Sequence, residues 1–362
     1  MAHRLRHWFC GVAILGVVGA LGIPAASAAH GPPVANDPMV APTPPEVVTP
    51  EGATPTGSIV YIRANNVYLT NATGSQARRL TSNGTTTLPY RGPSQSTAGI
   101  IAVARGRTIV LLSRTGALLK AIVPSSAHVV GTGDGTCTNT TSGYICGHGI
   151  TETALSPDGP KIAFTTDYYL YDRPDKFYFE RTYVYSTSTG QALSVSPGAH
   201  YGNPAWSSNS TLVLEKLTEF GNAGRIFRWT TGGRPILWFG GAGATWDPDL
   251  ATANNNVVYL SGGYQESTGL YYGHSSGFGQ APSIYCRIGE PYGHFDDPTW
   301  SPDGSWLAWE ESSLDSATGS GQGVWVIRTG APRSGSDCAR FASTYRRMIG
   351  GATDPDWGPA AY

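Results

Sequence analysis

Six positions along the chain carry residues that could bind a ligand, and each lies three residues ahead of the anchor of a repeated sequence element. They are Arg91, Glu152, Asn203, Asp247, Asp297 and Asp354, and Asp296 lies directly beside Asp297. Carboxylates that converge on one point lower the electrostatic potential there and attract positive charge. The pattern therefore predicts a site for a divalent cation or for a cationic group of a larger ligand.

A purely local role for these residues is the alternative. In four of the six copies the next residue is proline, which we expect to hold the preceding residue in an extended conformation. Asp and Asn before proline commonly bond to the nearby backbone and shape a loop. The same pattern is thus compatible with loop formation and no ligand.

Three histidines precede the same anchors by six or seven residues. They are His148, His200 and His294, and Tyr201 follows His200. Histidines together with carboxylates form ligand sets that suit transition metals. This interpretation requires the histidines to converge; the alternative is that they are structural or solvated.

An aromatic segment lies between two predicted strands of the third repeat. Residues 165–182 contain Tyr168, Tyr169, Tyr171, Phe177, Tyr178 and Phe179. Aromatic side chains beside a cavity are common in ligand sites. The alternative is that the segment covers one end of its own sheet.

The sequence Gly273-His274-Ser275-Ser276-Gly277 matches the Gly-x-Ser-x-Gly motif of serine hydrolases. That motif requires a turn from a strand into a helix, which exposes the serine hydroxyl. Here the five residues end a strand that is repeated elsewhere in the chain, so we do not interpret Ser275 as a nucleophile. We predict no catalytic residue.

The repeats that must position these residues run through most of the chain. Each has an anchor, a polar turn and then a short apolar strand; the anchors are Ser94, Leu155, Trp206, Leu250 and Trp300. A second element, an apolar strand ending in a polar turn with glycine, occurs at residues 66–74, 108–116, 182–190, 225–233, 269–277 and 323–330.

The two ends of the repeat region complement each other. Residues 353–359 repeat the anchor with no strand after it, whereas residues 58–62 form a strand with no anchor before it. We therefore predict an all-β fold of six four-stranded blades, in which the C-terminal segment supplies the innermost strand of the N-terminal blade. Such a closed ring removes the free edges of an open sheet.

The repeat resembles that of the TolB-like propellers. The resemblance is carried by "WSPDG" at 300–304 and "LSPDG" at 155–159, each followed by a short apolar strand, and it covers about residues 58–362. It implies a six-bladed β-propeller and extends to the propeller repeats only. Ser-Pro-Asp-Gly also favours a tight turn, so we interpret Trp206 and Trp300 first as packing residues.

The N-terminal sequence predicts export. Residues 1–28 have the basic start, apolar run and small-residue cleavage site of a signal peptide, and the proline-rich residues 29–57 predict an extended linker before a propeller at 58–362. No later stretch is apolar enough to span a membrane. Residues 29–362 contain 22 Lys and Arg against 25 Asp and Glu, with no basic stripe, so nucleic acid is not an expected partner.

Four cysteines remain after the predicted signal peptide. An even number in an exported chain favours disulfides over metal thiolates. Cys137 and Cys146 would close a short loop, and Cys286 would then pair with Cys338.

Two functions follow from these patterns. The first is a secreted, monomeric, non-enzymatic propeller that binds a protein, a peptide or a cell-surface glycan at the mouth of its central channel. The alternative is a metal-dependent, glycan-active lyase or hydrolase on a propeller scaffold, for which the histidines would have to form a dense cluster.

Overall fold

The computed structural model describes residues 54–125, 127, 129, 136–139, 143–172, 175–216, 224–240, 244–262, 269–289, 293–313, 322–329 and 346–362. These residues form β-strands and turns and contain no helix, and therefore none that could cross a membrane. The all-β class predicted from the sequence is confirmed.

The strands in the first half of the chain are β1 (Ser58–Arg63), β2 (Asn66–Asn71), β3 (Ala77–Arg79), β4 (Tyr90–Gln95), β5 (Ile101–Arg105), β6 (Thr108–Leu112), β7 (Leu118–Ile122), β8 (Thr136–Asn139), β9 (Gly143–Leu155), β10 (Lys161–Asp172), β11 (Asp175–Ser186) and β12 (Ala192–Ser194). Those in the second half are β13 (Tyr201–Ser208), β14 (Thr211–Lys216), β15 (Arg225–Thr230), β16 (Ile236–Phe239), β17 (Ala244–Ala251), β18 (Asn256–Gly262), β19 (Gly269–His274), β20 (Ser283–Gly289), β21 (Gly293–Trp300), β22 (Trp306–Ser313), β23 (Gly323–Arg328), β24 (Arg346–Gly350) and β25 (Ala352–Gly358).

The strands form six antiparallel sheets. In spatial order they are sheet 1 (β25-β1-β2-β3), sheet 2 (β4-β5-β6-β7), sheet 3 (β8-β9-β10-β11-β12), sheet 4 (β13-β14-β15-β16), sheet 5 (β17-β18-β19-β20) and sheet 6 (β21-β22-β23-β24). Sheet 1 joins the two ends of the repeat region, because Ile59 of β1 pairs with Trp357 of β25.

Sheet 3 departs from the predicted four strands. Its fifth strand, β8, pairs with the beginning of β9, where Cys137 lies opposite Cys146. The disulfide between these two cysteines confirms the predicted short-loop pairing. The pairing of Cys286 with Cys338 stays a prediction, since Cys338 lies outside the described residues.

The core is divided among the boundaries between sheets. Each of six clusters of buried side chains contains residues from two sheets that are consecutive in the order above, and one cluster joins sheet 6 to sheet 1. In that last cluster, Ile59 and Trp357 of sheet 1 pack with Val324 of sheet 6. Burial on both faces of each sheet explains why the strands are nearly continuous apolar runs rather than alternating ones.

The innermost strands of these sheets also contact one another in order. β4 contacts β9, β9 contacts β13, β13 contacts β17, and β17 contacts β21. β25 contacts both β21 and β4. Residues near the start of each innermost strand are thereby brought to one region of the molecule.

The repeated turns are scaffold. In the turn at 301–305, Asp303 accepts hydrogen bonds from the hydroxyls of Ser301 and Ser305, both at 2.6 Å, and Gly304 has a φ of +65°. Trp300, which enters this turn, is buried in the cluster between sheets 5 and 6. The conspicuous tryptophan motif therefore packs and turns the chain, and the residues ahead of it are the candidates for function.

Candidate functional site

One residue from each sheet lies at the same level of a central cavity. The cavity has a volume of about 320 Å³ and is lined by the innermost strands of all six sheets. In each strand the first residue to line it occupies an equivalent position. We call these six the mouth residues: Gly92, Glu152, Asn203, Asp247, Asp297 and Asp354.

The second sheet places glycine where the sequence spacing placed arginine. Gly92 precedes Pro93, as Asp247 precedes Pro248, whereas Arg91 does not line the cavity. The anchor of this repeat is therefore Gln95 rather than Ser94, one residue later than the degenerate sequence suggested. A Cβ atom at Gly92 would lie 2.5 Å from the Cα of Glu152, so this position requires glycine.

The backbone at five of the six mouth residues is not extended, which corrects the expectation drawn from the following prolines. All five that precede proline have positive φ: +46° at Gly92 and Asn203, +45° at Asp247, +47° at Asp297 and +49° at Asp354. In each of these strands a β-bulge or register shift falls at the same place. Asn and Asp tolerate this left-handed region better than other non-glycine residues, which explains their recurrence here.

Hydrogen bonds join the mouth residues across sheet boundaries. Glu152 accepts the backbone N–H of Asn203 at 3.1 Å, and the Asn203 side-chain amide donates to Asp247. On the other side, Thr153, next to Glu152, donates to the carbonyl of Gly92 at 2.7 Å.

The carboxylates of sheets 5, 6 and 1 form a compact group. Asp247, Asp296 and Asp297 each place a carboxylate oxygen within 4.8 Å of the others, and so do Asp297, Glu310 and Asp354. We call these five residues the acidic cluster. Asp247 and Asp354 are buried, so their charges lie in surroundings that screen them less than bulk water does.

Two glutamates of this region were missed by reasoning from the repeats. Glu310 belongs to the acidic cluster, and Glu215 accepts both the Asn203 amide at 2.7 Å and the Asp247 N–H at 2.9 Å. Both lie in second strands, where Glu310 pairs with Asp296 and Glu215 pairs with Gly202. The only sequence signal is that each glutamate ends an otherwise apolar run.

Of the three predicted histidines, the two whose side chains the structure describes, His148 and His200, are not part of the acidic cluster. His148 contacts the Asp167 carboxylate at 3.0 Å, and the His200 ring lies 4.9 Å from the ring of Phe179. His294 lies in β21, but its side chain is outside the described part of the structure. Among the side chains that are described, neither carboxylate group close enough to hold a metal includes a histidine.

The aromatic segment forms an extension of sheet 3. β10 and β11 pair along their full length, and Tyr168 stacks on Phe179 with ring centroids 4.9 Å apart. Tyr171 stacks on Tyr144 of β9 at 4.4 Å, next to the disulfide-linked β8. Tyr201 is buried against Phe227, and the side chain of Phe177 lies outside the described residues.

A second level of carboxyl groups lies one residue before the anchors. Asp249 accepts the backbone N–H of Trp300 at 3.0 Å, and Asp356 accepts that of Gln95 at 2.8 Å. Burial raises the pKa of Asp249 to about 6. Burial, together with the nearby Asp249, raises the pKa of Asp356 to about 8. These two groups line the cavity but fasten neighbouring sheets together.

Ser275 has the surroundings of a turn residue. It follows the last residue of β19, it is buried, and its hydroxyl bonds to the backbone of Gly277. The strand-and-turn context predicted from the repeats is observed, and no strand-to-helix elbow occurs there.

Comparisons with known proteins identify the architecture. No family model matches the sequence, and no curated protein matches it. Among solved structures, TolB from Acinetobacter baumannii is similar with a TM-score of 0.55 and 14% identity over 83% of this chain and 66% of that one, so the match spans just under two thirds of that protein. A proposed TolB from Agrobacterium tumefaciens has a TM-score of 0.51 and 13% identity over 82% and 90% of the two chains.

An enzyme is among the weaker matches. Oligogalacturonate lyase from Vibrio parahaemolyticus is similar with a TM-score of 0.45 and 13% identity over 82% of this chain and 80% of that one. Similarity at these identities describes the fold alone. The chain thus has a TolB-like propeller fold, as the repeat predicted.

Proposed function

We propose that this chain is an exported, closed six-bladed β-propeller that binds a basic group of a protein or peptide at its mouth residues. One observation carries the proposal: five of the six innermost strands contribute a carboxylate or an amide at the same level of one cavity. A binding protein gains specificity from a concave site with a few convergent polar groups.

Closure of the ring is supported by the packing at its ends. β25 pairs with β1 and contacts both β21 and β4, and a buried cluster joins sheet 6 to sheet 1. In a closed ring every sheet packs against a neighbouring sheet on both of its faces. Such packing would hold the mouth residues in fixed positions.

The ligand should be positively charged. Asp247, Asp297 and Asp354 come from three consecutive sheets, and with Asp296 and Glu310 they offer only oxygen acceptors. A lysine or arginine side chain supplies several N–H donors and the opposite charge on a flexible stem, which allows it to reach into a cavity.

The alternative, a metal-dependent glycan-active enzyme, has less support. It requires histidines and carboxylates around one metal, and His148 instead pairs with Asp167 of its own sheet. An oxygen-only group of carboxylates is the ligand type of Ca²⁺ or Mn²⁺ rather than of a histidine-bound metal. Binding of such a cation in place of a peptide is an outcome that the test below separates.

Export is supported by the disulfide between Cys137 and Cys146, since such bonds persist in oxidising compartments. In this proposal residues 1–28 are a signal peptide and residues 29–57 are a linker to the propeller.

The test uses a fluorescent tri-lysine peptide and the chain from residue 29 onward. The wild type should bind the peptide and should not bind a fully acetylated tri-lysine, which lacks the charges. A variant with Asp247→Asn, Asp297→Asn and Asp354→Asn should lose binding, whereas Asp158→Asn, an exposed residue of a repeated turn, should not. Equal binding of tri-lysine by all three proteins, equal binding of both peptides by the wild type, or stabilisation of the wild type by Ca²⁺ or Mn²⁺ with no peptide binding would reject the proposal.

A further inference from the structure

The outer edge of sheet 2 carries an unusual concentration of exposed apolar side chains. Among the described residues nine large hydrophobic side chains are exposed, and three of them lie in residues 118–123, which are β7 and the residue after it: Leu118 (65% exposed), Leu119 (53%) and Val123 (63%). Folded proteins seldom leave such a strip uncovered without a binding role.

β7 also offers a free backbone edge. It is the last strand of sheet 2, and among the described residues only β6 pairs with it. An edge strand presents N–H and C=O groups that can accept one more strand, so natural proteins usually protect it with charges. β7 carries one such charge, Lys120.

The side chains of β7 define what could cover it. Leu119 and Ala121 of β7 and Val123, which directly follows the strand, stand at alternate positions and are all exposed, so they form one apolar face beside the edge. Lys120 projects from the opposite face. A covering strand would therefore need apolar residues at alternate positions and an acidic residue between them.

Further positive charge lies where β7 begins. The Arg78 side chain of sheet 1 donates to the carbonyl of Arg114 at 2.7 Å, and Arg114 lies in the turn that leads from β6 into β7. The Arg78 charge adds to that of Lys120, which favours an acidic partner and disfavours a second copy of β7, whose Lys120 would approach its symmetry mate.

We propose that β7 is a docking edge for an extended, acidic segment of a partner protein, which adds to sheet 2 as a further strand. Backbone hydrogen bonds would supply affinity, and the apolar face together with Lys120 would supply selectivity. This surface lies on the outer rim and is independent of the ligand proposed for the mouth residues.

The test uses the fluorescent peptide Thr-Val-Glu-Val-Thr-Val, which places three valines on one face and glutamate on the other. Wild-type protein should bind it, and replacement of the fourth residue by proline should abolish binding because proline cannot pair along the strand. Leu119→Glu should weaken binding about tenfold or more, a change of about 1.4 kcal/mol. Leu193→Glu should not, although Leu193 of β12 is equally exposed at 52%.

A charge exchange separates recognition from damage to the fold. Lys120→Glu should weaken binding of the glutamate peptide and strengthen binding of the same peptide with lysine in its place. Failure of the wild type to bind, equal losses in Leu119→Glu and Leu193→Glu, or a dimer that Leu119→Glu dissociates would overturn the proposal, the last because a second copy would then occupy the edge.

Discussion

Asp356 of β25 accepts a hydrogen bond from the backbone N–H of Gln95 of β4 at 2.8 Å, so a carboxyl group of sheet 1 fixes the innermost strand of sheet 2. Asp249 does the same for Trp300 between sheets 5 and 6. Between sheets 2 and 3, the hydroxyl of Ser94 accepts a hydrogen bond from the backbone N–H of Leu155 at 3.0 Å. The residue before the anchor thus connects consecutive sheets through a side chain.

Asp356 should make the stability of the protein fall as pH rises. Its pKa is raised from 3.8 to about 8, so between these values the folded state holds a proton that the unfolded state has lost. The contribution of Asp356 to the free energy of unfolding is therefore largest in acid, and it is lost as the pH rises through about 8. Melting temperatures at pH 5, 7 and 9 should decline, and Asp356→Asn should be a few degrees more stable than the wild type at pH 9.

Asp303 provides a control, because its pKa is shifted in the opposite direction to that of Asp356. Its partial burial alone would raise its pKa, but hydrogen bonds from Ser301 and Ser305 lower the pKa below its ordinary value. Its contribution is present at neutral pH and is lost only in acid, so Asp303→Asn should lower stability equally at pH 7 and 9. A decline between pH 7 and 9 that persists unchanged in Asp356→Asn would contradict the role given to Asp356.

Gly92→Ala should destabilise the protein through a backbone clash. The added Cβ would lie 2.5 Å from the Glu152 Cα, and φ at this position is +46°. We expect a loss of about 1–3 kcal/mol in the free energy of unfolding, measured by chemical denaturation. Gly198→Ala is the matched control, because Gly198 also has positive φ, +77°, but a Cβ there meets no atom within 4 Å. Equal losses in the two variants would contradict the close approach at the mouth.

The disulfide should stabilise the extension of sheet 3 locally. Cys137 and Cys146 are nine residues apart, and closing such a loop is worth about 2–3 kcal/mol in the unfolded-chain model. Cys137→Ser with Cys146→Ser should speed proteolysis near Tyr144 and leave the melting temperature of the propeller little changed. Faster cleavage in sheet 5 as well would show that the bond supports the whole fold.

The sequence predicted those features that depend on repetition. Trp206 and Trp300 recur before polar turns, so the innermost strands and the level of Asp247, Asp297 and Asp354 could be predicted from spacing. The second repeat lacks the tryptophan, and its alignment was therefore displaced by one residue, from Gly92 to Arg91. The positive φ at these positions was also missed, because proline ordinarily favours an extended residue before it.

Contacts that depend on register could not be predicted. Glu310 reaches the acidic cluster because β21 and β22 pair with a register shift between Asp296 and Thr299. The repeated sequence pattern does not predict this shift. His148 pairs with Asp167 across the shifted β9–β10 register rather than with other histidines. β8 has no equivalent among the described strands of the other sheets, so the repeat spacing does not predict it.

The most direct test of the proposed mouth site is to locate bound tri-lysine chemically. A water-soluble carbodiimide joins amines to carboxylates in direct contact, and mass spectrometry identifies the acidic residue in each product. We predict adducts on Asp247, Asp296, Asp297, Glu310 and Asp354, suppressed by excess unlabelled tri-lysine. Adducts confined to Asp158 and Asp303, the exposed carboxylates of the repeated turns, would contradict the site.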